Sequence, residues 1–485
     1  MSNSDFNFAQ RAREAMIADH FQPDFPPEAL AEAKAANPAP PSLAGRTDLR
    51  SLLWSSIDNT TSRDLDQIEW AEALPDDKIR VRVGIADVSA TIAPNSACEA
   101  HARFNATSVY TGGPVFPMLP ERFSTDLTSL GPNVDRPALV MEFVVDATGV
   151  VVCAEVFAAL VRNRAQLNYD QVGLWLAGKA ASPTNGAAAS DELCAQLKLQ
   201  AQAAARLKKF RTEHGALTLG NVEYVPIVVA NHVEGFDFQT DNPARDIIES
   251  FMIAANVAMA QHLRAKRSLC LRRVVRTPKR WDAIQAIAAA HNTKLPAQPD
   301  PVALGAFLAE RRQNDLEHFP ELSLAILKAM GPGEYIVEHP GEEQIGHFGL
   351  AVDDYSHSTA PNRRYADLIM QRLLKASIDQ SAPPFSEAEL SQLAAHCTER
   401  EAAARHVERF MKKVAAAMLL SPRIGQTFTG IVTGASEKGV YARLIDAPAE
   451  GRIIHGEKGL DVGQKVRVRL ASVDVKKGFI DLDAK

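Results

Sequence analysis

From residue 46 to residue 420 the chain offers no internal linker, and within that stretch strands come first and helices later. Residues 79–85, 139–145 and 150–157 alternate or run apolar as strands do, whereas 192–210, 246–263, 323–330, 366–376 and 387–420 carry helical composition and spacing. That order is not the regular βαβ alternation of a parallel sheet. It predicts an α+β fold, with a large mixed sheet and helices in one domain. Composition agrees: 46% of the 485 residues are apolar and 23% charged, enough for a sizeable core and too apolar for a mainly disordered chain. The net charge of −6 excludes a basic coat for nucleic acid, so any such site must be a local basic surface.

Two smaller units flank this domain. Residues 1–45 read as a small helical unit, with helices over 9–20 and 27–36 separated by Pro23, Pro26 and Pro27, and with Asn37-Pro38-Ala39-Pro40-Pro41 as a linker. It suits a helical cap on the main domain; a helix-turn-helix touching nucleic acid would need recognition residues that the sequence does not display. Residues 180–190 read as a surface loop. Residues 424–485 change character, with short strands over 427–432, 439–444, 451–454, 465–470 and 478–482, the size of a five-stranded OB-fold barrel. Lys465, Arg467 and Arg469 alternate with Val466, Val468 and Leu470, which puts three cations on one strand face, either as an RNA contact or simply solvated.

Five scattered cysteines without CxxC spacing suggest neither a zinc site nor a disulfide framework and fit a reducing cytoplasm. The first ten residues carry no secretory apolar segment, and no stretch is long and apolar enough to predict a membrane span. Nothing resembles a coiled coil, so a monomer is expected.

Three features bear chemistry. Asp58, Asp64 and Asp66 fall within nine positions. Converging carboxylates repel unless a hard cation such as Mg²⁺ sits between them; a solvated acidic turn is the plainer reading. An EF-hand counted from Asp58 fails, because Arg63 stands where the turn needs glycine. Next, Thr359-Ala360-Pro361 signals a helix start, which puts Arg363 and Arg364 in a first turn as an anion site, unless Asp353, Asp354 or Asp367 pairs with them. Last, residues 264–280 carry eight Lys/Arg and no acid, a weak sign of a phosphate-tracking surface. His347 and His357 have no companion at ligand spacing and read as hydrogen-bonded structural residues.

The motifs Asp58…Asp64-Leu65-Asp66, Ile85-Ala86-Asp87-Val88-Ser89, Phe116-Pro117-Met118-Leu119-Pro120, Met252-Ile253-Ala254-Ala255-Asn256, and His347-Phe348-Gly349-Leu350…Tyr355…Pro361-Asn362-Arg363-Arg364-Tyr365-Ala366-Asp367 stand in the order seen in the ribonuclease II family, which residues 50–420 resemble. The last 60 residues resemble the S-one type of RNA-binding barrel that ends those enzymes. The resemblance implies a Mg²⁺-dependent exonuclease that hydrolyses single-stranded RNA from a free 3′ end to nucleoside 5′-monophosphates. It implies Asp58, Asp64 and Asp66 as metal ligands, with Asp66 and Arg363 catalytic. Tyr110 would stack on the 3′-terminal base, and Arg363, Arg364 and Tyr365 would lie on the RNA-binding surface.

The departures are specific. The family usually carries a fourth aspartate directly after Asp66, where this chain has Gln67. An amide oxygen ligates Mg²⁺ without charge, and Glu69 compensates only if the backbone turns. The second aromatic expected near Leu271 is missing, and the late-helix glutamate is Ala404, with Glu408 one turn on. The two cold-shock barrels usual at the N-terminus have no counterpart, so an altered tolerance of duplex RNA is expected. A catalytically weakened RNA-binding or scaffolding protein is the alternative, and a ribosome-associated factor led by the barrel is a third.

Overall fold

The structure, a computed structural model, describes residues 6–37, 42–185, 189–220, 224–238, 241–339, 341–342, 344–436, 439–445 and 447–485. In chain order the strands of the first half are β1 (Thr47–Asp48), β2 (Trp54–Asp58), β3 (Gln67–Leu74), β4 (Lys78–Ala86), the short pair β5 (Val109–Tyr110) and β6 (Val115–Phe116), β7 (Asp135–Val145) and β8 (Val151–Asn168). The main sheet runs β1-β8-β2-β3-β4-β7. The 18-residue β8 pairs antiparallel with β7 up to Arg162 and then parallel with β2 from Asn163 to Asn168. One strand thus links β7 to β2 and closes the circuit of strands, with the short β1 pairing outside it at Ala159 and Leu160.

The helices are α1 (Phe8–Ala18), α2 (Pro27–Ala35), α3 (Ala97–Asn105), α4 (Tyr169–Leu176), α5 (Asp191–Glu213), α6 (Pro243–Ala265), α7 (Trp281–Ala290), α8 (Pro301–Asn314), α9 (Phe319–Met330), α10 (Tyr365–Ile378) and α11 (Glu387–Leu420). Helix α6 buries Ile247, Phe251, Met259 and Leu263 in the same core as Val81, Val83 and Ile85 of β4. Helix α5 is tied to β3 by Gln196, whose amide bonds both Ala71 N at 2.9 Å and Ala71 O at 2.7 Å. Helices α7 to α9 bury Trp281, Phe307 and Ile326 in a cluster of their own.

The N-terminal helices go to different places. Helix α2 adds Ala29 and Ala33 to the main core, whereas α1 packs Phe8, Ala12 and Met16 against Val407, Met411 and Val414 of α11. Pro38 to Pro41 of the expected linker lie outside the described residues, as do residues 186–188 of the expected loop.

Further strands are the hairpin β9 (Tyr224–Val229) and β10 (His232–Phe238), the pair β11 (Cys270–Val274) and β12 (Glu334–Glu338), and β13 (Thr427–Ser436), β14 (Gly439–Leu444), β15 (Glu450–His455), β16 (Lys465–Asp474) and β17 (Phe479–Ala484). The last five form a closed barrel in the order β13-β14-β15-β17-β16, as the spacing of short strands predicts. Helix α11 starts at a capping box between Ser386 and Glu389 and ends with Ala416, Ala417 and Leu420 inside the barrel core. No described helix is long and apolar enough to cross a membrane.

Candidate active site

Strand β2 ends in Asp58 and β3 begins at Gln67, so the acidic cluster sits on the turn between two neighbouring strands. Backbone contacts hold that turn. Ser129 Oγ accepts from Leu65 N at 3.1 Å and donates to Arg63 O at 2.7 Å, and Ala86 N donates to Asp66 O at 2.9 Å. Asp58 Oδ1 accepts from Asn59 N at 2.7 Å and Ser62 Oγ at 2.8 Å. Asp66 is only 3% exposed, and its Oδ1 accepts from Asn362 N at 3.2 Å and Asn362 Nδ2 at 2.9 Å. Thr128 Oγ1 donates to Asn362 Oδ1 at 2.6 Å, which fixes the amide so that its nitrogen faces Asp66.

Burial pushes the Asp66 carboxyl up to about 7, with Arg363 opposing the shift and Asp64 adding to it. Burial also raises Asp64, against its backbone hydrogen bonds and Arg363 and with Asp58. The carboxylates therefore feel one another and one arginine. Among the described residues, however, no three Asp, Glu, His or Cys side chains gather closely enough to hold one ion. The donor set still fits Mg²⁺, which keeps several waters and takes one or two carboxylates plus phosphate oxygens. Glu69, on β3, is buried, and neither of its oxygens has a hydrogen-bond partner among the described residues.

The arginine pair differs from expectation. Helix α10 starts at Tyr365 with Arg364 as its N-cap, so neither arginine lies in the first turn. The cause is a competing pairing: Ser108 N donates to Arg363 O at 2.9 Å, and Thr107 bridges Arg364 as in an antiparallel ladder. Arg363 is exposed, and its charge acts on Asp64, Asp66 and Tyr110. Arg364 is bonded to Asp367 at 2.8 Å, so the local ion pair, not a bare anion site, describes it. Tyr365 is corrected outright. It is fully buried, and its hydroxyl donates to Glu99 Oε1 at 2.5 Å, which also accepts from Arg372 at 2.6 Å; it cannot lie on an RNA-binding surface.

Beside Arg363 opens a cavity of about 200 Å³ lined by Tyr110, Tyr335, His357, Arg363, Glu401 and Glu408, among others. Glu408 accepts from Tyr110 N at 3.0 Å and so ties α11 to the Tyr110 strand. Tyr335 is a second aromatic in this cavity. It sits on β12 directly opposite Arg273 of β11, the partner strand of the segment where an aromatic is missing. The Arg273 guanidinium lies 5.0 Å from the Tyr335 ring centroid and bonds Glu401 at 2.9 Å. Tyr335 shares a 2.7 Å hydrogen bond between its hydroxyl and His357 Nδ1. Burial first, and then Arg364 and Arg273, hold His357 well below its ordinary range, so the ring is neutral. His347 is lowered to about 4 by burial, and its Nδ1 accepts from Leu350 N at 3.2 Å.

Half of the basic run 264–280 is paired within the fold. Arg264 and Arg272 bond Asp354 at 3.2 and 2.6 Å, Arg273 bonds Glu401, and Arg276 bonds Glu334 at 2.5 Å, whereas Lys266, Arg267, Lys279 and Arg280 are exposed. On β16 the expected cation face is exposed, but Lys465 pairs with Glu317 at 2.8 Å and Arg469 with Asp483 at 2.6 Å. Sequence reasoning missed Asn362, Tyr335 and Glu401 as site residues. Asn362 had a signal, its place directly before Arg363; the other two become neighbours only through strand and helix packing.

The buried Asp66 beside the exposed Arg363, next to a cavity lined by Tyr110 and Tyr335, is an arrangement chemically suited to a phosphate ester. Residues 46–380 match the RNB domain, and residues 426–485 match the RNase II-type exonuclease C-terminal S1 domain; the chain belongs to the RNB-domain family. It is 28% identical over 500 residues to Ribonuclease R 1 of Lactococcus lactis, covering 95% of this chain and 59% of that protein. It is 32% identical over 410 residues to Exoribonuclease 2 of Escherichia fergusonii, covering 83% of this chain and 61% of that protein. The chain thus spans about three fifths of these relatives' length. Its fold is similar to that of Mycoplasma genitalium RNase R in complex with ribose-methylated single-stranded RNA, with a TM-score of 0.88 at 24% identity over 99% of this chain and 78% of that one.

Proposed function

We propose that the chain is a hydrolytic 3′-to-5′ exoribonuclease that degrades single-stranded RNA from a free 3′ end to nucleoside 5′-monophosphates, with Mg²⁺ as cofactor. The observation that carries this reading is Asp66, buried and oriented by Asn362 beside the exposed Arg363. The names of the relatives, Exoribonuclease 2 and Ribonuclease R 1, support it.

Each group has a task set by its surroundings. Asp66 spends one oxygen on Asn362, which leaves the other for the reacting phosphate's surroundings. Arg363 offers charge where the phosphate becomes more negative in the transition state, the step at which electrostatic stabilisation raises rate. Tyr110, the exposed aromatic of the cavity, gives the terminal base a stacking surface worth about 1–3 kcal/mol and indifferent to sequence. Asp58 and Asp64 are the remaining acidic donors for Mg²⁺, which when bound activates the attacking water and stabilises the leaving 3′-oxygen. We place the protein in the cytoplasm, as a monomer.

Gln67 favours a second reading, an RNA-binding or scaffolding protein on a weakened nuclease fold. Purified protein with 5′-labelled single-stranded RNA separates the two. A ladder shrinking from the 3′ end with Mg²⁺, and absent with chelator, is expected. Intact RNA that is nevertheless retarded on a native gel would establish the binding protein instead.

A further inference from the structure

We infer that one outer face of the barrel, across β13, β14 and β16, docks the RNA backbone, and that Glu317 and Glu321 hold it as stand-ins for two phosphates until RNA displaces them. The inference rests on the RNA-substrate reading above. Ile431 of β13 is paired with Arg443 of β14 on one side and with Lys465 of β16 on the other. Residues directly opposite across a ladder share a face, so the three form one row. Phe428 and Val432 of β13 enter the barrel core, as do Ala442, Leu444 and Val466 of the neighbouring strands. The row that alternates with them therefore faces outward. Tyr441 and Arg467 leave the same face, both exposed, and Arg467 makes no ion pair among the described residues. Three cations and an aromatic ring on one strand face suit a single-stranded backbone, the cations for phosphates and the ring for a base.

Two acids of the main domain occupy that face. Glu317, in the turn before α9, bonds Lys465 at 2.8 Å, and Glu321, in the first turn of α9, bonds Arg443 at 2.5 Å. Four positions apart, they grip the two ends of the row. Between them Ile431 is fully buried although it points away from the barrel core, so the main domain covers this face. Glu321 is itself nearly buried, and its Oε2 has no hydrogen-bond partner among the described residues. A carboxylate held with one oxygen unsatisfied carries a desolvation cost, and a phosphate offers Arg443 the same charge and geometry without it. The pairs are thus replaceable by an anion of higher charge density. Displacing them parts this face from α9, while Ala417 and Leu420 at the end of α11 keep the barrel attached through its core.

The test is binding of a 5′-labelled single-stranded oligoadenylate to the whole chain in chelator, measured across salt concentrations. Glu317→Gln with Glu321→Gln is expected to tighten binding about five-fold, the worth of two partly exposed ion pairs. It should also steepen the fall of log affinity with log salt by about 1.4, because two more cations meet phosphates without first losing a carboxylate. Glu317→Gln alone, at an exposed site that cannot threaten the fold, should give about half of that slope change, about 0.7. Adding Arg443→Gln and Lys465→Gln to the double variant should erase the gain. A gain that survives their removal is a long-range effect of net charge and overturns the inference. Unchanged affinity and slope in both glutamate variants overturn it too, as does weaker binding, which would make the acids struts that dock the barrel. Each of these leaves the nuclease reading standing. A wild type that binds no oligoadenylate overturns both.

Discussion

Asp66 shows how one residue joins stability to chemistry. Its carboxyl is pushed up to about 7 by burial, so the metal-free folded protein holds a proton there that the unfolded chain releases near pH 4. The folded state therefore binds more protons, and stability is fully present below about pH 4 and lost as pH rises through about 7. Asp66→Asn removes the titration. It is expected to flatten that loss, by up to about 4 kcal/mol at pH 8, while abolishing hydrolysis and leaving RNA binding intact. Thermal melts across pH in chelator, set beside cleavage and gel-shift assays, check all three. Retained cleavage would remove Asp66 from the catalytic set. Motif order singles out Asp58, Asp64, Asp66, Arg363 and Tyr110, and the fold brings the charge of Arg363 to bear on Asp64, Asp66 and Tyr110. That Tyr365 is sealed against Glu99, or that Arg364 answers Asp367, depends on packing that no local spacing encodes.

Among the elements, α1 has a task that its distance in sequence conceals. Gly113, between β5 and β6, lies so close to Phe8 that a Cβ there would meet the ring at 2.8 Å, and at the neighbouring Gly112 a Cβ would meet Pro226 of β9 at 2.7 Å. Helix α1 and the β9–β10 hairpin thus brace the loop that follows Tyr110, with α11 holding the strand itself through Glu408. Phe8→Ala empties a fully buried site and is expected to cost about 3–5 kcal/mol of stability. It should also weaken retention of the 3′ nucleotide, seen as a longer final remnant in the labelled-RNA ladder. An unchanged remnant would show that α1 supports the fold without reaching the cavity. Element types were legible over long periodic segments, as in α11 and the barrel strands. Partners were not: the strand at 150–157 extends to Asn168 because its second half finds β2, a pairing set by distant residues.

For the whole molecule, the barrel and the core are linked by α11, whose last turn lies inside the barrel. Removing residues 424–485 would expose Ala416, Ala417 and Leu420, so some stability should be lost along with RNA affinity. The truncated chain is expected to keep metal-dependent cleavage at high RNA concentration. Its binding should depend less steeply on salt, since fewer phosphates would be neutralised. Complete loss of cleavage in a truncated chain that still folds would assign the chemistry to the barrel and favour the ribosome-associated alternative.

Closure of the sheet by β8 also sets a timetable. Asp58 lies on a strand that pairs with residues 163–168, and Asp66 is oriented by Asn362, 296 positions further along. Such long-range pairings form late, after the intervening chain exists. During synthesis the aspartates leave the ribosome early, but the asparagine that aims Asp66 and the neighbouring Arg363 follow only when three quarters of the chain has been made. An unfinished chain beside its own messenger therefore carries the acids without the geometry to use them.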